Sequence, residues 1–141
     1  MLKLSRKVEY GLMALKKLNS LSDGQTLTVK EIATADKIPE QLLSKLMQLL
    51  AKDEIVESIR GTQGGYKLKI NSNDLKQIKL SDIMQKFGQP LNVVDCMEAS
   101  GIAGKEELCP QYSSCHIKSP MQVVQNKVNK IFYQTTLEEI L

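Results

Sequence analysis

The sequence predicts a mainly α-helical fold with one small β-hairpin and a long C-terminal helix. Three observations support this expectation. Apolar residues recur at helical spacing in the first third of the chain, a Gly-rich turn separates two segments of period-two alternation, and a narrow apolar seam follows near the C-terminus. The 141 residues suit one domain or one domain with an appendage, and the 42% hydrophobic fraction allows a modest core.

The first two predicted helices follow from apolar periodicity and from a capping motif. A helix over residues 3–19 has an apolar face formed by Leu4, Val8, Leu12, Leu15 and Leu18. A polar, glycine-bearing turn at 22–26 ends it. Thr28 and Glu31 then form a T-x-x-E capping box, which satisfies two free backbone N–H groups and opens a short helix over 29–35.

The third predicted helix, over residues 39–52, has two distinct faces. Pro39 suits its first position, because the N–H that proline lacks would be unpaired there. The apolar face consists of Leu42, Leu43, Leu46, Leu49 and Leu50. The opposite face consists of Gln41, Ser44, Lys45, Gln48 and Lys52. We expect the apolar face to pack on the first two helices and leave the polar face exposed.

A β-hairpin is predicted over residues 55–70. Over 55–60, Ile55, Glu57 and Ile59 alternate with Val56, Ser58 and Arg60, and over 66–70 apolar residues alternate with lysines. Gly61, Gly64 and Gly65 lie between the two segments. A nucleotide-binding phosphate loop is excluded, because neither a Gly-Lys-Ser/Thr sequence nor a helix follows these glycines.

The remaining residues predict one or two short helices within 74–88, a loop that holds the cysteines, a helix from Pro120 to about Gln134 and a capped C-terminal turn. Met121, Val124, Val128 and Ile131 are spaced three, four and three residues apart. This narrow seam is typical of a helix that pairs with another helix.

Three helices followed by a two-stranded hairpin is the element order of a winged helix-turn-helix. In that fold the third helix enters a major groove about 12 Å wide, so Gln41, Ser44 and Lys45 would face base edges. Arg60, next to Gly61, would reach into a narrow minor groove. A solvated helix face and a simple tight turn are the alternatives.

The charge distribution agrees with a nucleic-acid partner for the N-terminal half. Residues 1–70 contain 12 basic and 8 acidic side chains, whereas residues 71–141 contain 7 and 8. We therefore predict a winged helix-turn-helix DNA-binding domain over 1–72 and a second region, with the cysteine loop and a dimerisation helix, over 73–141.

All three cysteines lie in one polar loop. Twelve residues separate Cys96 from Cys109, and five separate Cys109 from Cys115. An odd number of cysteines argues against a fully paired disulfide framework. Thiolates suit the iron of iron–sulfur clusters, and three of them leave one attachment point to another group. The alternatives are a zinc site that includes His116, a Cys109–Cys115 disulfide switch and a catalytic pair with His116.

Several classes of protein are not expected. No stretch approaches the ~18 apolar residues of a membrane span, and the basic, amphipathic start lacks the apolar centre of a secretion signal. We expect a cytoplasmic protein that is not an enzyme and has neither a membrane partner nor a small-molecule substrate.

The chain resembles the IscR/NsrR-type family of bacterial transcription regulators, in the Rrf-two superfamily. The resemblance covers nearly the whole chain and rests on "LSRKVEYGLMAL", "TVKEIA", "IPEQLLSKLMQLLAKDEIVESIRGTQGGYKL", the clustered cysteines and "TTLEEIL". It implies a homodimer, with an N-terminal winged helix in each protomer and a long C-terminal helix that pairs across the dimer. The family's DNA contacts correspond here to Gln41, Ser44, Lys45, Arg60 and Gly61.

The resemblance also implies a cluster site, since in many members three cysteines hold an iron–sulfur cluster. The gap between the first two cysteines is longer here than is common in the family, so Cys109 and Cys115 are safer ligands than Cys96. Glu9 matches the helix carboxylate that nitric-oxide-sensing and redox-sensing members use, and it would come from the partner protomer. His116 is the alternative, because Lys118 stands where cluster-assembly regulators have a histidine.

The expected function is a DNA-binding transcription regulator, with repression the commoner outcome in the family. A 2Fe–2S or 4Fe–4S cluster would control operator binding in response to redox state, nitric oxide or iron–sulfur supply. The alternative is a cluster-free thiol-switch or zinc-binding regulator or interaction protein of the same fold.

Overall fold

A computed structural model describes residues 3–97 and 109–141 of the chain. The described helices are α1 (Arg6–Asn19), α2 (Val29–Asp36), α3 (Glu40–Lys52), α4 (Ser72–Gln77), α5 (Leu80–Lys86), α6 (Lys118–Gln134) and α7 (Leu137–Ile140). The strands are β1 (Val56–Ile59) and β2 (Gly65–Leu68). The predicted fold class, mainly helical with a small hairpin and a long C-terminal helix, is confirmed.

The described residues belong to two compact units. The helix–hairpin unit comprises Leu4–Ile78 and Thr136–Leu141, so α7 completes a unit that otherwise ends after α4. The cysteine unit comprises Lys3 and the described residues of Lys79–Thr135. The functional division of the chain into 1–72 and 73–141 stays a prediction.

Local side-chain caps determine where the first two helices begin. The Ser5 hydroxyl accepts a hydrogen bond from the Val8 N–H at 3.4 Å, so α1 begins at Arg6, three residues later than predicted. The predicted capping box of α2 is present, with Thr28 N–H donating to Glu31 at 2.7 Å and Glu31 N–H donating to the Thr28 hydroxyl at 3.1 Å. The Thr28 backbone N–H and hydroxyl hold the pKa of the Glu31 carboxyl below its usual value.

The core of the helix–hairpin unit is aliphatic, as expected for a chain with no tryptophan. The apolar stripe of α3 differs from the prediction, because Met47 is fully buried while Leu49 is 40% exposed. The buried positions are Leu43, Leu46, Met47 and Leu50. Their spacing of three, one and three follows the 3.6-residue turn, which carries Leu49 out of the stripe.

The link between α2 and α3 uses a backbone conformation that non-glycine residues seldom adopt. Lys37 has φ 53° and ψ 42°, in the left-handed region, and its N–H donates to the Ala33 carbonyl. Pro39 lies at the N-cap of α3, one position before the predicted one. This tight connection sets the direction in which α3 leaves α2.

The hairpin is antiparallel and pairs Val56 with Leu68, Glu57 with Lys67, Ser58 with Tyr66 and Ile59 with Gly65. Both strands are shorter than the alternation predicts. Leu27 pairs with β2 as an additional short segment, because it exchanges two backbone hydrogen bonds with Tyr66, at 3.0 and 2.7 Å. The hairpin is thereby attached to the residue that precedes the α2 cap.

The described part of the cysteine unit buries few apolar side chains, namely Ile83, Met84 and Phe87. In contrast, α6 buries only Gln125 and exposes most of its apolar residues. The predicted seam on α6 is divided, because Met121 and Val128 are half-buried whereas Val124 and Ile131 are exposed. Within residues 3–97 and 109–141, no helix is both long and apolar enough to cross a membrane.

We expect Thr28→Ala to lower the free energy of unfolding by about 1 kcal/mol, because the first turn of α2 loses the hydroxyl that caps it. Urea unfolding followed by circular dichroism measures the change. Thr28→Ser is the matched control and should remain close to the wild type, since it keeps the hydroxyl. Equal stability of the alanine and serine variants would contradict the assigned cap.

Candidate functional site

The three α3 residues that are predicted to contact DNA belong to the helix–hairpin unit. Gln41 and Lys45 are exposed and Ser44 is half-buried, all in the first half of the helix. Because the buried stripe of α3 faces the core, these three side chains lie on the part of its surface that remains accessible. The structure thus brings the predicted helix contacts onto one face.

The predicted wing contacts lie at the tip of the hairpin. Arg60 and Gly61 are exposed, and Gly61 has φ 122°, a conformation that strongly favours glycine. Gly64 N–H donates to the Gly61 carbonyl at 3.0 Å and closes the turn. A side chain at Gly64 would collide with the Ile59 carbonyl oxygen. The tip is therefore tightly folded backbone beside one projecting arginine.

The wing is anchored at its base to the segment that precedes α2. The Thr26 hydroxyl donates to the Gln63 carbonyl at 2.9 Å, next to the pairing of Leu27 with Tyr66. A Cβ atom on Gly65 would lie 2.7 Å from the carbonyl carbon and oxygen of Leu27, so the close approach requires glycine. These anchors were not predicted, although the alternating segment Thr26–Thr28 carried a weak strand signal.

The basic side chains of α3 and of the hairpin differ in whether a carboxylate pairs with them. Lys67 pairs with Glu57 at 3.2 Å, and Lys69 pairs with Glu54 at 2.5 Å. The hydrogen bond and charge of Lys69 hold the pKa of Glu54 below its usual value, and Glu54 raises the pKa of Lys69. Within the described ranges, Lys45 and Arg60 have no such carboxylate partner.

A shallow groove of about 430 Å³ runs beside the wing. Arg60 and Lys67 contribute its two cationic side chains, and Thr26 and Gln63 lie along it. An open groove with basic and hydroxyl side chains suits the sugar–phosphate backbone of a nucleic acid better than a small apolar ligand.

The three cysteines lie in the cysteine unit, and each is free and half-buried. Cys96 is in a short 3-10 turn, Asp95–Met97. Cys109 begins a turn in which its carbonyl accepts from the Tyr112 N–H at 3.0 Å, and Cys115 comes shortly before α6. Residues 98–108, which form most of the predicted loop, lie outside the described residues.

The thiols suit an iron–sulfur cluster by their chemistry, but the structure does not assemble them into a site. Across the described ranges, no group of three or more His, Cys, Asp or Glu side chains could hold a metal ion. Glu9 lies on α1, in the helix–hairpin unit, and pairs with Arg6 at 2.8 Å. His116 is exposed just before α6, and the Lys118 ammonium lies 3.9 Å from the centre of the Tyr112 ring.

The sequence analysis did not predict the burial of Gln125, a glutamine in the cysteine unit. Gln125 is 5% exposed and bonds to the backbone of Leu91 and Val93, close to Cys96. In the sequence, its only signal was its position between Met121 and Val128 of the predicted apolar seam, since a polar residue on an inward helix face needs partners.

The helical order, the exposed polar face of α3 and the anchored basic wing define a winged-helix transcription regulator that binds DNA. Residues 4–141 match the family model described as Rrf2, an iron-dependent transcriptional regulator, and the chain belongs to the Rrf2 family. Members of this family are transcription regulators and not enzymes.

Individual relatives agree with this assignment. The transcriptional regulator NsrR of Geobacillus kaustophilus is 31% identical over 100 residues, which cover 71% of this chain and 66% of the relative. The structure is similar to CymR, the global cysteine regulator of B. subtilis, with a TM-score of 0.67, 27% identity and coverage of 99% and 95% of the two chains. T. potens IscR gives a TM-score of 0.65 and 27% identity over 96% and 83%.

We expect Gly65→Ala to destabilise the protein by about 1–3 kcal/mol, because the added methyl group would press against the Leu27 carbonyl. Gly61→Ala is the matched comparison, since it shares a positive φ but has open space around its Cβ. Urea unfolding should show the larger loss for Gly65→Ala. Equal losses of unfolding free energy in the two variants would mean that the positive φ, and not the close contact with Leu27, is the reason for glycine at position 65.

Proposed function

We propose that this regulator binds a double-stranded operator through Gln41, Ser44 and Lys45 of α3 and through Arg60 and Gly61 of the wing. The observation that carries the proposal is the contrast between paired and unpaired cations. Lys45 and Arg60 lack carboxylate partners within the described ranges, so binding phosphates or base edges requires no ion pair to be broken. Repression would follow where the operator overlaps a promoter.

The active species in this proposal is a homodimer formed through α6. Ile117, Val124 and Ile131 recur every seven residues and are 61%, 39% and 62% exposed. With the half-buried Met121 and Val128 they complete a four-three heptad spacing, which is the pattern of paired helices. A second copy of α6 would cover this seam and place two reading surfaces on one operator.

The proposed signal is received by Cys96, Cys109 and Cys115, with Glu9 of the partner protomer as the fourth ligand of an iron–sulfur cluster. Three free thiols and the similarity to NsrR and IscR regulators support it. When bound, such a cluster supplies a centre that reacts with oxidants and nitric oxide. Carboxylate oxygen binds iron less firmly than thiolate, so Glu9 would be the weakest attachment.

A cluster-free thiol switch is the second candidate. The similarity to CymR, named as a global cysteine regulator, favours it, together with the short separation of Cys109 and Cys115. In this form, a two-electron oxidant such as a peroxide would take two electrons and two protons from the pair and leave a disulfide, and an external dithiol would reduce it back to two thiols.

We expect Arg60→Ala to weaken binding at least tenfold to duplexes that the wild type selects from a random-sequence library, because a groove contact contributes about 1–3 kcal/mol. Fluorescence anisotropy across a salt series measures it. The slope of log K against log salt should become shallower by about 0.9 if Arg60 neutralises one phosphate.

The control for Arg60→Ala is Lys76→Ala, which removes the same charge from a lysine that pairs with Glu138. It should leave the affinity within about twofold of the wild type, since non-contacting surface charges act only at a distance. If both variants lost the same DNA affinity, the net positive charge of the chain, and not a contact made by Arg60, would explain the loss.

We expect anaerobically purified or reconstituted protein to be brown, with charge-transfer absorption and bound iron and sulfide. The iron content per chain distinguishes a 2Fe–2S from a 4Fe–4S cluster. Cys109→Ser and Cys115→Ser should lose the colour, and Cys96→Ser tests whether the first cysteine is needed.

The contrary outcomes separate the two candidate signals. A wild-type protein that stays colourless after reconstitution would reject the cluster, and a Cys109–Cys115 disulfide in mass spectra after mild oxidation would then support the thiol switch. Glu9→Ala should change the visible spectrum. If this variant kept both the spectrum and the operator affinity, Glu9 would have no role as a ligand.

A further inference from the structure

We infer that Gln125 is the positioning residue for Cys96: it holds the segment that leads into the Cys96 turn against α6, the proposed dimerisation helix. This inference rests on the proposed function in one respect, namely that Cys96 takes part in sensing. Gln125 itself touches no thiol in the described contacts and acts through the backbone of residues 91–93.

Gln125 is the one buried residue of α6, and burying an amide is unfavourable unless its hydrogen bonds are made. Here they are made at short distances. The Oε1 atom accepts from the Val93 N–H at 2.6 Å, and the Nε2 atom donates to the Leu91 carbonyl at 2.6 Å. Nε2 also donates to Asn129 Oδ1 at 2.7 Å, one helical turn further on.

The two backbone bonds hold the segment as a strand is held in a ladder, because one amide replaces both a donor and an acceptor of a neighbouring strand. The segment itself buries little apolar surface, since Leu91, Val93 and Val94 are only half-buried. Loss of the Gln125 amide would leave a backbone donor and a backbone acceptor without partners in a partly buried place.

Hydrogen bonds continue from this clamp to Cys96. The Asn92 amide donates to the Val94 carbonyl at 3.3 Å, and the same carbonyl accepts from the Met97 N–H at 2.9 Å. That second bond closes the 3-10 turn that contains Cys96. Cys96 therefore lies three residues after Val93, which Gln125 holds, in a turn that is hydrogen-bonded to the same segment.

The clamp lies beside the exposed seam of the same helix. Val124, which precedes Gln125, is 39% exposed and belongs to the seam, whereas Gln125 points inward. A shift of α6 along or about its axis would move both groups together. Gln125 thus connects the segment before Cys96 to α6, the helix through which the proposed dimer forms.

The test compares Gln125→Met with Gln122→Met, an exposed glutamine one turn earlier in α6 that bonds only to Asn126 in the described contacts. Full-length apo protein is treated with limiting iodoacetamide, and the alkylation rate of each cysteine is followed by mass spectrometry. We expect Cys96 in Gln125→Met to react about tenfold faster than in the wild type, as a segment that loses buried hydrogen bonds opens more often. Cys109, Cys115 and the Gln122→Met control should stay within about twofold.

A second variant and a second measurement guard against general unfolding. Asn129→Ala leaves both backbone bonds of Gln125 in place and should raise the Cys96 rate by less than Gln125→Met does. Amide hydrogen exchange at Val93 should accelerate in Gln125→Met, while amides of the helix–hairpin core keep their protection. Equal Cys96 rates in wild type and Gln125→Met, or a parallel rise at all three cysteines, would overturn the inference.

The outcome separates this inference from the cluster proposal, because alkylation of apo protein needs no cluster. A colourless wild type with a selective rise at Cys96 would reject the cluster and retain the role of Gln125. A brown wild type whose absorption spectrum and Cys96 rate are both unchanged by Gln125→Met would retain the cluster and reject that role.

Discussion

The backbone pairing of Leu27 with Tyr66 is the constraint on which the placement of the wing depends. A two-stranded hairpin of four-residue strands has little stability by itself, so it needs a further attachment. The pairing joins the hairpin to the residue before the α2 cap, and the Thr26 hydroxyl extends the attachment to Gln63. These hydrogen bonds attach the wing, with Arg60 at its tip, to the segment that leads into α2.

The long C-terminal helix has the opposite burial pattern from an ordinary surface helix. It buries a glutamine and exposes Val124 and Ile131, and Ile117 at its N-cap is exposed as well. Apolar side chains left in water at heptad spacing cost free energy that a second helix can recover. The buried glutamine contributes something that an aliphatic residue cannot, since its amide bonds directional backbone groups of the segment before Cys96.

In the thiol region the residue types indicate the chemistry, but they do not indicate how the ligands are arranged in space. Soft sulfur ligands are evident from the residues themselves, and their number leaves room for one further ligand. Their arrangement depends on long-range placement of segments that share few local signals. The described thiols are free, and in our proposal the fourth ligand, Glu9, comes from a second copy of the chain, so the sequence of one chain does not show how the ligands meet.

Local chemistry by itself determined much of this protein. The capping box of Thr28 and Glu31, the Gly-rich turn and the apolar spacing of α6 are short-range patterns, and they predicted the order of helices and strands. Tertiary structure alone decided that Met47 replaces Leu49 in the core, that Leu27 joins the hairpin, and that Gln125 faces inward. These features depend on which distant residue meets each face, and a pattern of neighbours along the chain does not contain that information.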